Sequence, residues 1–295
     1  MDAIVVEVTR GSVVESRHRV HAVAVQDGAV VAEAGDGALV AYMRSAAKPL
    51  QALPLARARG DLDDRDLAIA SASHPGEAPH LEAVGALLVK APADEVELEC
   101  GAEGNPPRRV RHNCSGKHAG MLALCRAHGW PSEGYRLPDH PVQQACLLEV
   151  AVAADVPQAE IPTATDGCGV VTFALPLERI AFAFSRLERL DAGARVAAAM
   201  RRHPELIGAA AGADTRLMQL RAGWVAKGGA EGLLCACGPG GVGVALKSED
   251  GSSRGLAAAA AAFLPLVGER VDELARSDVR NSRGEVVGEI RAQPL

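Results

Sequence analysis

A serine and a lysine three residues apart are the first groups in this chain that could do chemistry together. They lie in the segment Arg44-Ser45-Ala46-Ala47-Lys48, whose composition predicts the start of a helix. Residues at this spacing share a helix face, so the Lys48 amine would reach the Ser45 hydroxyl and take its proton. Arg44 is a fixed cation that would favour the neutral amine. The alternative interpretation is an N-cap serine followed by a solvated lysine.

Lysine is scarce in the chain, which makes each lysine informative. Of the 31 basic residues, 26 are arginine, and the five lysines are Lys48, Lys90, Lys117, Lys227 and Lys247. An amine can lose its proton and act as a base or a metal ligand, whereas a guanidinium stays protonated. Any catalytic lysine must therefore be one of these five.

A second reactive group lies in the segment 112–120. Cys114 and Lys117 stand three residues apart between His112 and His118, and glycines interrupt the segment. This composition is unlike that of a plain amphipathic helix. Thiolates and imidazoles are ligands that zinc prefers, and a lysine amine coordinates a metal only when it is deprotonated. The segment is therefore a candidate functional site.

Three other short segments carry polar groups. In Asp166-Gly167-Cys168-Gly169, two glycines predict a tight turn that displays a thiol, with a buried inert cysteine as the alternative. The segment 71–77 contains Ser73 and His74 after an apolar run, and a plain turn is its alternative. The segment 227–232 begins with Lys227-Gly228-Gly229 at the end of a predicted strand, where a simple hairpin turn is the alternative.

The elements that must position these groups follow from hydrophobic periodicity. An Asp-Gly pair between apolar runs predicts a hairpin of strands 20–25 and 29–34, and 38–43 extends this β-rich opening. Helices are predicted from Ser45 and over 78–89, 115–128, 141–154 and 192–203. Strands are predicted over 222–227, 232–237 and 241–247, with a helix over 253–266. The Gly238–Gly241 segment lacks the Gly-Lys-Ser/Thr ending of a phosphate loop, so it is predicted to be a turn.

This order of elements predicts an α+β fold in a single domain, residues 1–295. An antiparallel sheet is built from the N- and C-terminal segments, about 1–43 and 221–295, and packed with helices; residues of about 44–220 form a mainly helical middle lobe.

Composition excludes several classes of function. The 295 residues are 48% hydrophobic with a net charge of −6 and 3% aromatic residues, which disfavours a nucleic-acid partner. No apolar run has the ~20 residues of a membrane span. The charges in Met1–Arg10 are unlike a signal peptide, and the seven scattered cysteines are typical of reduced thiols, so we expect a cytoplasmic protein with no membrane partner.

Taken together, the five segments resemble the thermolabile, Rhizobium-type L-asparaginases of the asparaginase II family. The segments that carry the resemblance occur in family order over most of the chain, and Cys114–His118 is the most specific of them. The resemblance implies a fold similar to glutaminases and serine β-lactamases, a homodimer, and hydrolysis of the small molecule L-asparagine to L-aspartate and ammonia.

The resemblance also implies roles for individual residues. Two serine–lysine pairs, Ser45 with Lys48 and Ser73 with Lys227, would be catalytic, and Cys114, Lys117 and Cys168 would hold a zinc ion. Substrate binding is assigned to four residues, namely Arg44, Asp166, His74 and Gly116. One departure is that Gly228 stands where the family often has threonine or serine.

Other readings of the same residues predict different activities. Serine–lysine chemistry also suits glutamine, a β-lactam or another small amide, although no Ser-x-Asn element lies between the two lysine motifs. In a third reading, Cys114, Lys117 and Cys168 form a zinc or thiol site in a protein that is not an enzyme.

Overall fold

The structure is a computed structural model that describes residues 1–295. Its strands are β1 (Ile4–Arg10), β2 (Val13–Gln26), β3 (Ala29–Ala34), β4 (Val40–Tyr42), β5 (Thr163–Thr165), β6 (Val171–Pro176), β7 (Val225–Gly229), β8 (Leu233–Gly238), β9 (Val242–Ser248), β10 (Arg276–Arg280) and β11 (Val286–Ala292). Its α-helices are α1 (Lys48–Gln51), α2 (Leu53–Ala58), α3 (Asp64–Ala70), α4 (Ala78–Lys90), α5 (Ser115–His128), α6 (Pro141–Ala154), α7 (Leu177–Ser185), α8 (Gly193–Arg202), α9 (Pro204–Ile207), α10 (Ala213–Leu220) and α11 (Leu256–Phe263). The combination of helices with an antiparallel sheet confirms the predicted α+β class. None of the helices has the length and apolar character needed to cross a lipid bilayer.

The chain forms two compact units. The first consists of Met1–Ala41, Pro176–Ser185 and Ala211–Leu295, and the second consists of Tyr42–Leu175 and Arg186–Ala210. The segments 176–185 and 211–220, which the sequence analysis placed in the helical lobe, thus belong to the unit that contains the large sheet.

The first unit is built on an eight-stranded antiparallel sheet. Its strand order is β10-β11-β1-β2-β9-β8-β7, and β3 pairs with β2. The β2–β3 hairpin turns at Asp27 and Gly28, whose φ angles are 50° and 83°. Two consecutive positive φ angles match the right-handed twist of the flanking strands, so the Asp-Gly signal is confirmed.

Helices cover the sheet of the first unit, and one of them, α10, carries Asp214. Helix α7 packs on β2 and β9, α11 packs on β1, β9 and β11, and α10 packs on β7. The sequence analysis predicted β7, β8 and β9 to within three residues at their ends, but it named none of β1, β10 and β11. In β10, exposed charged residues surround the one buried residue, Val279, and β11 has only Ile290 buried, so neither strand shows the period of two that marks a half-buried strand.

The second unit is organised around α5. This helix has the predicted bounds, ends at Gly129 in the left-handed conformation, and packs against α2, α3 and α4. Eleven successive residues, Ser115–Cys125, are buried. A helix that is buried on all sides lies at the centre of its unit, and α5 thus holds its polar side chains away from water.

The helix predicted from Ser45 is interrupted in the structure. Residues Arg44–Ala47 form a 3-10 turn, and the short helices α1 and α2 follow. Pro49 and Pro54 each lie at the beginning of one of these helices. Because proline has no N–H to donate, it favours a new helix start over the continuation of a long helix.

Candidate active site

Lys48 is a buried lysine whose amine contacts a serine hydroxyl. The residue is 0% exposed, and its Nζ donates hydrogen bonds to Ser73 Oγ at 2.7 Å and to the carbonyl oxygen of Ala72 at 2.5 Å. The sequence analysis paired Lys48 with Ser45 and Ser73 with Lys227. The structure brings Lys48 to Ser73, a pairing that the motif spacing did not predict.

Ser45 lies one turn before Lys48 on the same short helical segment. The backbone N–H of Lys48 donates to the carbonyl oxygen of Ser45, which closes the 3-10 turn. In a 3-10 helix, side chains three residues apart lie above one another. The local backbone therefore directs the half-buried Ser45 side chain to the side of the helix from which the Lys48 side chain extends.

Arg44 precedes this turn in an unusual backbone conformation. Its φ is +49°, a left-handed value that non-glycine residues rarely adopt. Two bonds hold it there: its N–H donates to Thr172 Oγ1 at 3.1 Å, and its Nε donates to Asp166 Oδ1 at 2.5 Å. Strained backbone maintained by specific contacts is typical of functional sites.

The loop that carries Ser73 is fixed at three successive points. The N–H of Ser73 donates to the carbonyl of Ile207, and that of His74 donates to the carbonyl of Asn113. The N–H of Gly76 donates to His74 Nδ1 at 3.1 Å. A neutral imidazole whose Nδ1 accepts must carry its proton on Nε2, which lies 2.9 Å from Ser115 Oγ and donates to it. His74 thus connects the Ser73 loop to the first turn of α5.

His74 is also held in its neutral form. It is 1% exposed, and burial lowers the pKa of its ring to about 3, with the positive charges of His80 and Lys48 acting in the same direction. Both ring nitrogens already have protein partners. The predicted substrate-binding role of His74 remains a prediction, while its position in the structure makes it a support for Ser73.

Cys114, Lys117 and Cys168 converge in the interior, and we refer to them as the thiol–amine cluster. Each is 4% exposed. Lys117 Nζ donates to Cys168 Sγ at 3.1 Å, and the Cys168 thiol donates to Asp166 Oδ2 at 3.9 Å and interacts with Cys114. Cys168 is presented by the tight turn between β5 and β6, where Gly169 has a φ of 90°, as its flanking glycines predicted.

Charge is balanced within the thiol–amine cluster. The hydrogen bond from Cys168 lowers the pKa of the Cys114 thiol, and the nearby cations of Lys48 and Lys117 add to this effect against the cost of burial. Burial alone would lower the pKa of the Lys117 amine, but the negative charge of Cys168, Cys114 and Asp166 raises it above its ordinary value. The cluster is therefore a buried group of two thiols and an amine in which each group shifts the pKa of the others.

Asp166 joins the cluster to Arg44. Its carboxylate accepts from Arg44 Nε and from the Gly167 N–H, and it lies 4.0 Å from Lys117 Nζ. The terminal nitrogens of Arg44 remain available, and the side chain is 26% exposed. A carboxylate and a guanidinium in contact at the edge of a buried site suit an amino acid, which carries the opposite charges.

Gly116 allows α5 to approach α3. A Cβ at this position would lie 2.1 Å from the carbonyl oxygen of Ile69, which is far inside contact distance. Without a side chain at 116, the first turn of α5 lies directly against α3 and brings Lys117 to its place. The predicted contact between Gly116 and substrate stays a prediction, and the packing supplies a separate reason for glycine.

The donor set of the thiol–amine cluster suits zinc. No group of three His, Cys, Asp or Glu side chains in the chain converges as a metal site, so a metal here would need the Lys117 amine as its third protein ligand. Two thiols and an amine with this mutual proximity match the sulfur and nitrogen ligands and low coordination number of Zn²⁺. The residues therefore fit the ion that the family resemblance implies.

Lys227 lies in the first unit, on β7. It is 1% exposed, and its Nζ donates to its neighbour's carbonyl, that of Gly228, at 2.8 Å and lies 3.5 Å from Asp214 Oδ2. Its predicted pairing with Ser73 stays a prediction. Lys90 and Lys247 stand apart from these groups: Lys90 pairs with Asp63 and Asp66, and Lys247 donates to the carbonyl of Ser248.

Sequence reasoning missed three groups at these positions. The carbonyl of Ala72 could not be foreseen, because a backbone acceptor leaves no mark in the sequence. Thr172 could have been found, since it is a hydroxyl in an otherwise apolar strand and is 3% exposed. Asp214 belongs to no motif, and only the packing of α10 on β7 brings it to Lys227.

A comparison with known protein families finds a match over nearly the whole chain. The family described as L-asparaginase II matches residues 6–292. The molecule is therefore a hydrolase that acts on amides. It belongs to the L-asparaginase II family and is an asparagine amidohydrolase. No curated protein sequence matches the chain.

Proposed function

We propose that the chain hydrolyses L-asparagine by serine–lysine acyl transfer with Lys48 as the base. The observation that carries the proposal is the hydrogen bond of 2.7 Å between Lys48 Nζ and Ser73 Oγ. Lys48 itself lies one turn after Ser45. Ser45 attacks the side-chain amide carbon, and Lys48 accepts the proton of the Ser45 hydroxyl. Lys48 then passes this proton to the amide nitrogen, which leaves as ammonia. Water then hydrolyses the acyl-enzyme.

The contacts of the Lys48 amine support its role in moving protons. A neutral amine has two N–H bonds and one lone pair. One N–H is held by the Ala72 carbonyl, which orients the nitrogen. The lone pair and the remaining N–H can then face the serine hydroxyls, so a proton received from Ser45 can pass to Ser73 and onward. Ser73 is in this scheme a relay and the second hydroxyl of the reaction, while Lys227 remains the second amine that the resemblance implies.

The substrate is proposed to bind through its amino-acid charges. The Asp166 carboxylate suits the ammonium group of asparagine, and the terminal nitrogens of Arg44 suit its carboxylate. The ion pair between Arg44 and Asp166 keeps both side chains in place before substrate arrives. Binding groups that are already oriented lower the entropic cost of reaching the reactive geometry.

Zinc is proposed as the ion held by Cys114, Lys117 and Cys168. When bound, it would supply a Lewis acid that polarises an oxygen atom and lowers the pKa of a bound water. The residues must release protons to bind it, because only thiolates and a neutral amine are ligands. A homodimer completes the proposal on the strength of the family resemblance, and a cytoplasmic location is proposed on that of the seven free cysteines.

The test is an ammonia-release assay on purified variants. Ser45→Ala, Ser73→Ala and Lys48→Met should each lower kcat for asparagine, by about 10²–10⁴-fold for the base. Lys247→Met is the matched control, since it removes a half-buried lysine that contacts none of these groups, and it should keep wild-type kcat. Wild-type turnover in folded Lys48→Met protein would refute the mechanism.

The same assay separates the alternatives. If the protein released ammonia from glutamine, or hydrolysed a coloured β-lactam, faster than it turned over asparagine, the proposed substrate would change but the serine–lysine chemistry would stand.

Zinc is tested by elemental analysis of protein purified without added metal. About one ion per chain is expected, and the Cys114→Ser, Cys168→Ser double variant should lose it. Equal zinc in both proteins would refute this site, and zinc without hydrolysis of any amide would favour a protein that is not an enzyme. Light scattering of the intact protein tests the dimer.

A further inference from the structure

A buried carboxylate contacts two successive residues of β7. Asp214 lies in the first turn of α10, and its side chain is 10% exposed. Its Oδ2 accepts a hydrogen bond from the Gly228 N–H at 2.8 Å and lies 3.5 Å from Lys227 Nζ. Its Oδ1 accepts from the N–H of Thr215 at 2.9 Å. All of these residues belong to the first unit.

Glycine at 228 leaves space for the carboxylate. A Cβ at this position would lie 3.2 Å from Asp214 Oδ2, closer than nine in ten contacts that a real Cβ makes, so the carboxylate would have to shift by a few tenths of an ångström. A serine or threonine there, as the family often has, would press against the oxygen that accepts from both the backbone and the amine. Gly228 therefore departs from the family sequence at the position where the Asp214 carboxylate lies against the strand.

The Lys227 amine is held from two sides. The Gly228 carbonyl accepts one of its N–H bonds, and Asp214 provides the opposite charge. A buried ammonium without an anion would be costly, so the carboxylate determines where the amine can lie. A cavity of about 350 Å³ in the same unit is lined by both Asp214 and Gly228, so a small molecule or water can reach the edge of this arrangement.

We propose that Asp214 is the positioning residue of Lys227, fixing the site of its amine through the space left by Gly228. The inference rests on the proposed function in one respect, namely that Lys227 takes part in the reaction. Asp214 itself does not touch the substrate or exchange a proton. Its loss would leave the amine mobile, so the reaction would slow while substrate affinity was largely retained.

The kinetic test uses Asp214→Asn, Asp214→Glu and Gly228→Ala in the full-length protein. Asp214→Asn should lower kcat by at least about tenfold, because a misplaced amine would lose part of the rate enhancement that a proton-transfer group contributes. KM should change by less than about threefold. Asp214→Glu keeps the charge and should retain more kcat than the asparagine variant. Gly228→Ala should also lower kcat, although the carboxylate is present. Asp272→Asn, which removes an exposed carboxylate of the same unit paired only with Arg270, is the control.

A second measurement is independent of activity. With only five lysines, protein labelled with ¹⁵N at lysine Nζ gives a simple spectrum, and Lys227→Met assigns the signal of interest. Relaxation of Lys227 Nζ should show a restricted amine in wild type and a more mobile one in Asp214→Asn. An equally restricted amine in both proteins would overturn the proposal, as would wild-type kcat in folded Asp214→Asn when Lys227→Met has lost activity. If Lys227→Met keeps full activity, the catalytic role of Lys227 fails, and the relaxation measurement still decides whether Asp214 positions the amine.

Discussion

His74 should make the folded state sensitive to acid. The ring has a pKa of about 3 in the folded protein, against an ordinary value of 6.5. Below pH 6.5 the unfolded chain binds a proton at this position and the folded chain does not, so stability falls as the pH falls from about 6.5 toward 3. At about pH 5 the imbalance is RT ln(1 + 10^1.5), or about 2 kcal/mol. This figure hardly depends on the folded pKa as long as that value lies below about 4.

The substitution His74→Gln isolates this contribution. Glutamine has no titratable proton, and its amide can still donate to Ser115 Oγ in place of Nε2. We expect the free energy of unfolding of wild type to drop by about 2 kcal/mol more than that of His74→Gln between about pH 7.5 and pH 5. Because the comparison is a difference between two proteins, other buried histidines such as His118 cancel.

The measurement is urea denaturation followed by circular dichroism at each pH. His128→Gln is the control, because His128 is exposed and should show the wild-type pH dependence. If His74→Gln and wild type lose the same stability on acidification, the ring is not held neutral, and the account of how the Ser73 loop is supported is wrong.

Two further predictions concern packing and charge. Gly116→Ala should lower the free energy of unfolding by about 1–3 kcal/mol, because its Cβ would meet the backbone oxygen of Ile69; Gly85→Ala on α4, where a Cβ meets nothing within 4 Å, should be neutral or stabilising in the same urea titration. Lys90→Ala should lower the free energy of unfolding by about 1–3 kcal/mol, because Asp66 is 2% exposed and would lose its cation. An unchanged urea midpoint for this variant would show that hydrogen bonds from the backbone alone satisfy the Asp66 carboxylate.

The short motifs predicted which reactive side chains share a helical turn, but not their partners elsewhere in the fold. A spacing of three residues places Cys114 with Lys117, and Ser45 with Lys48, on one turn, because local sequence determines which side chains share a turn. It could not identify the hydrogen bond between Lys48 and Ser73. That contact depends on how the loop after α3 is fixed to Ile207 and Asn113, which are distant in sequence.

The fold was predictable where periodicity is strong. The bounds of α5, α6 and β3, and the turn between β2 and β3, followed from apolar runs bounded by Gly, Pro or Asp-Gly signals, whereas β2 begins at Val13, seven residues before its predicted start. Strands β10 and β11 were not predicted, because each has only one buried residue and therefore a weak apolar pattern. Asp214 was equally invisible, since a single carboxylate near a helix start usually indicates only a favourable helix dipole.

The position of Lys117 on α5 has a consequence for dynamics. Because Ser115–Cys125 are buried on every side of the helix, we expect their amide hydrogens to exchange with solvent more slowly than those of the half-exposed Ser73 loop. Ser73 and Arg44 are partly exposed groups of the site. A small ligand is therefore expected to reach the buried amines past these two side chains rather than through α5.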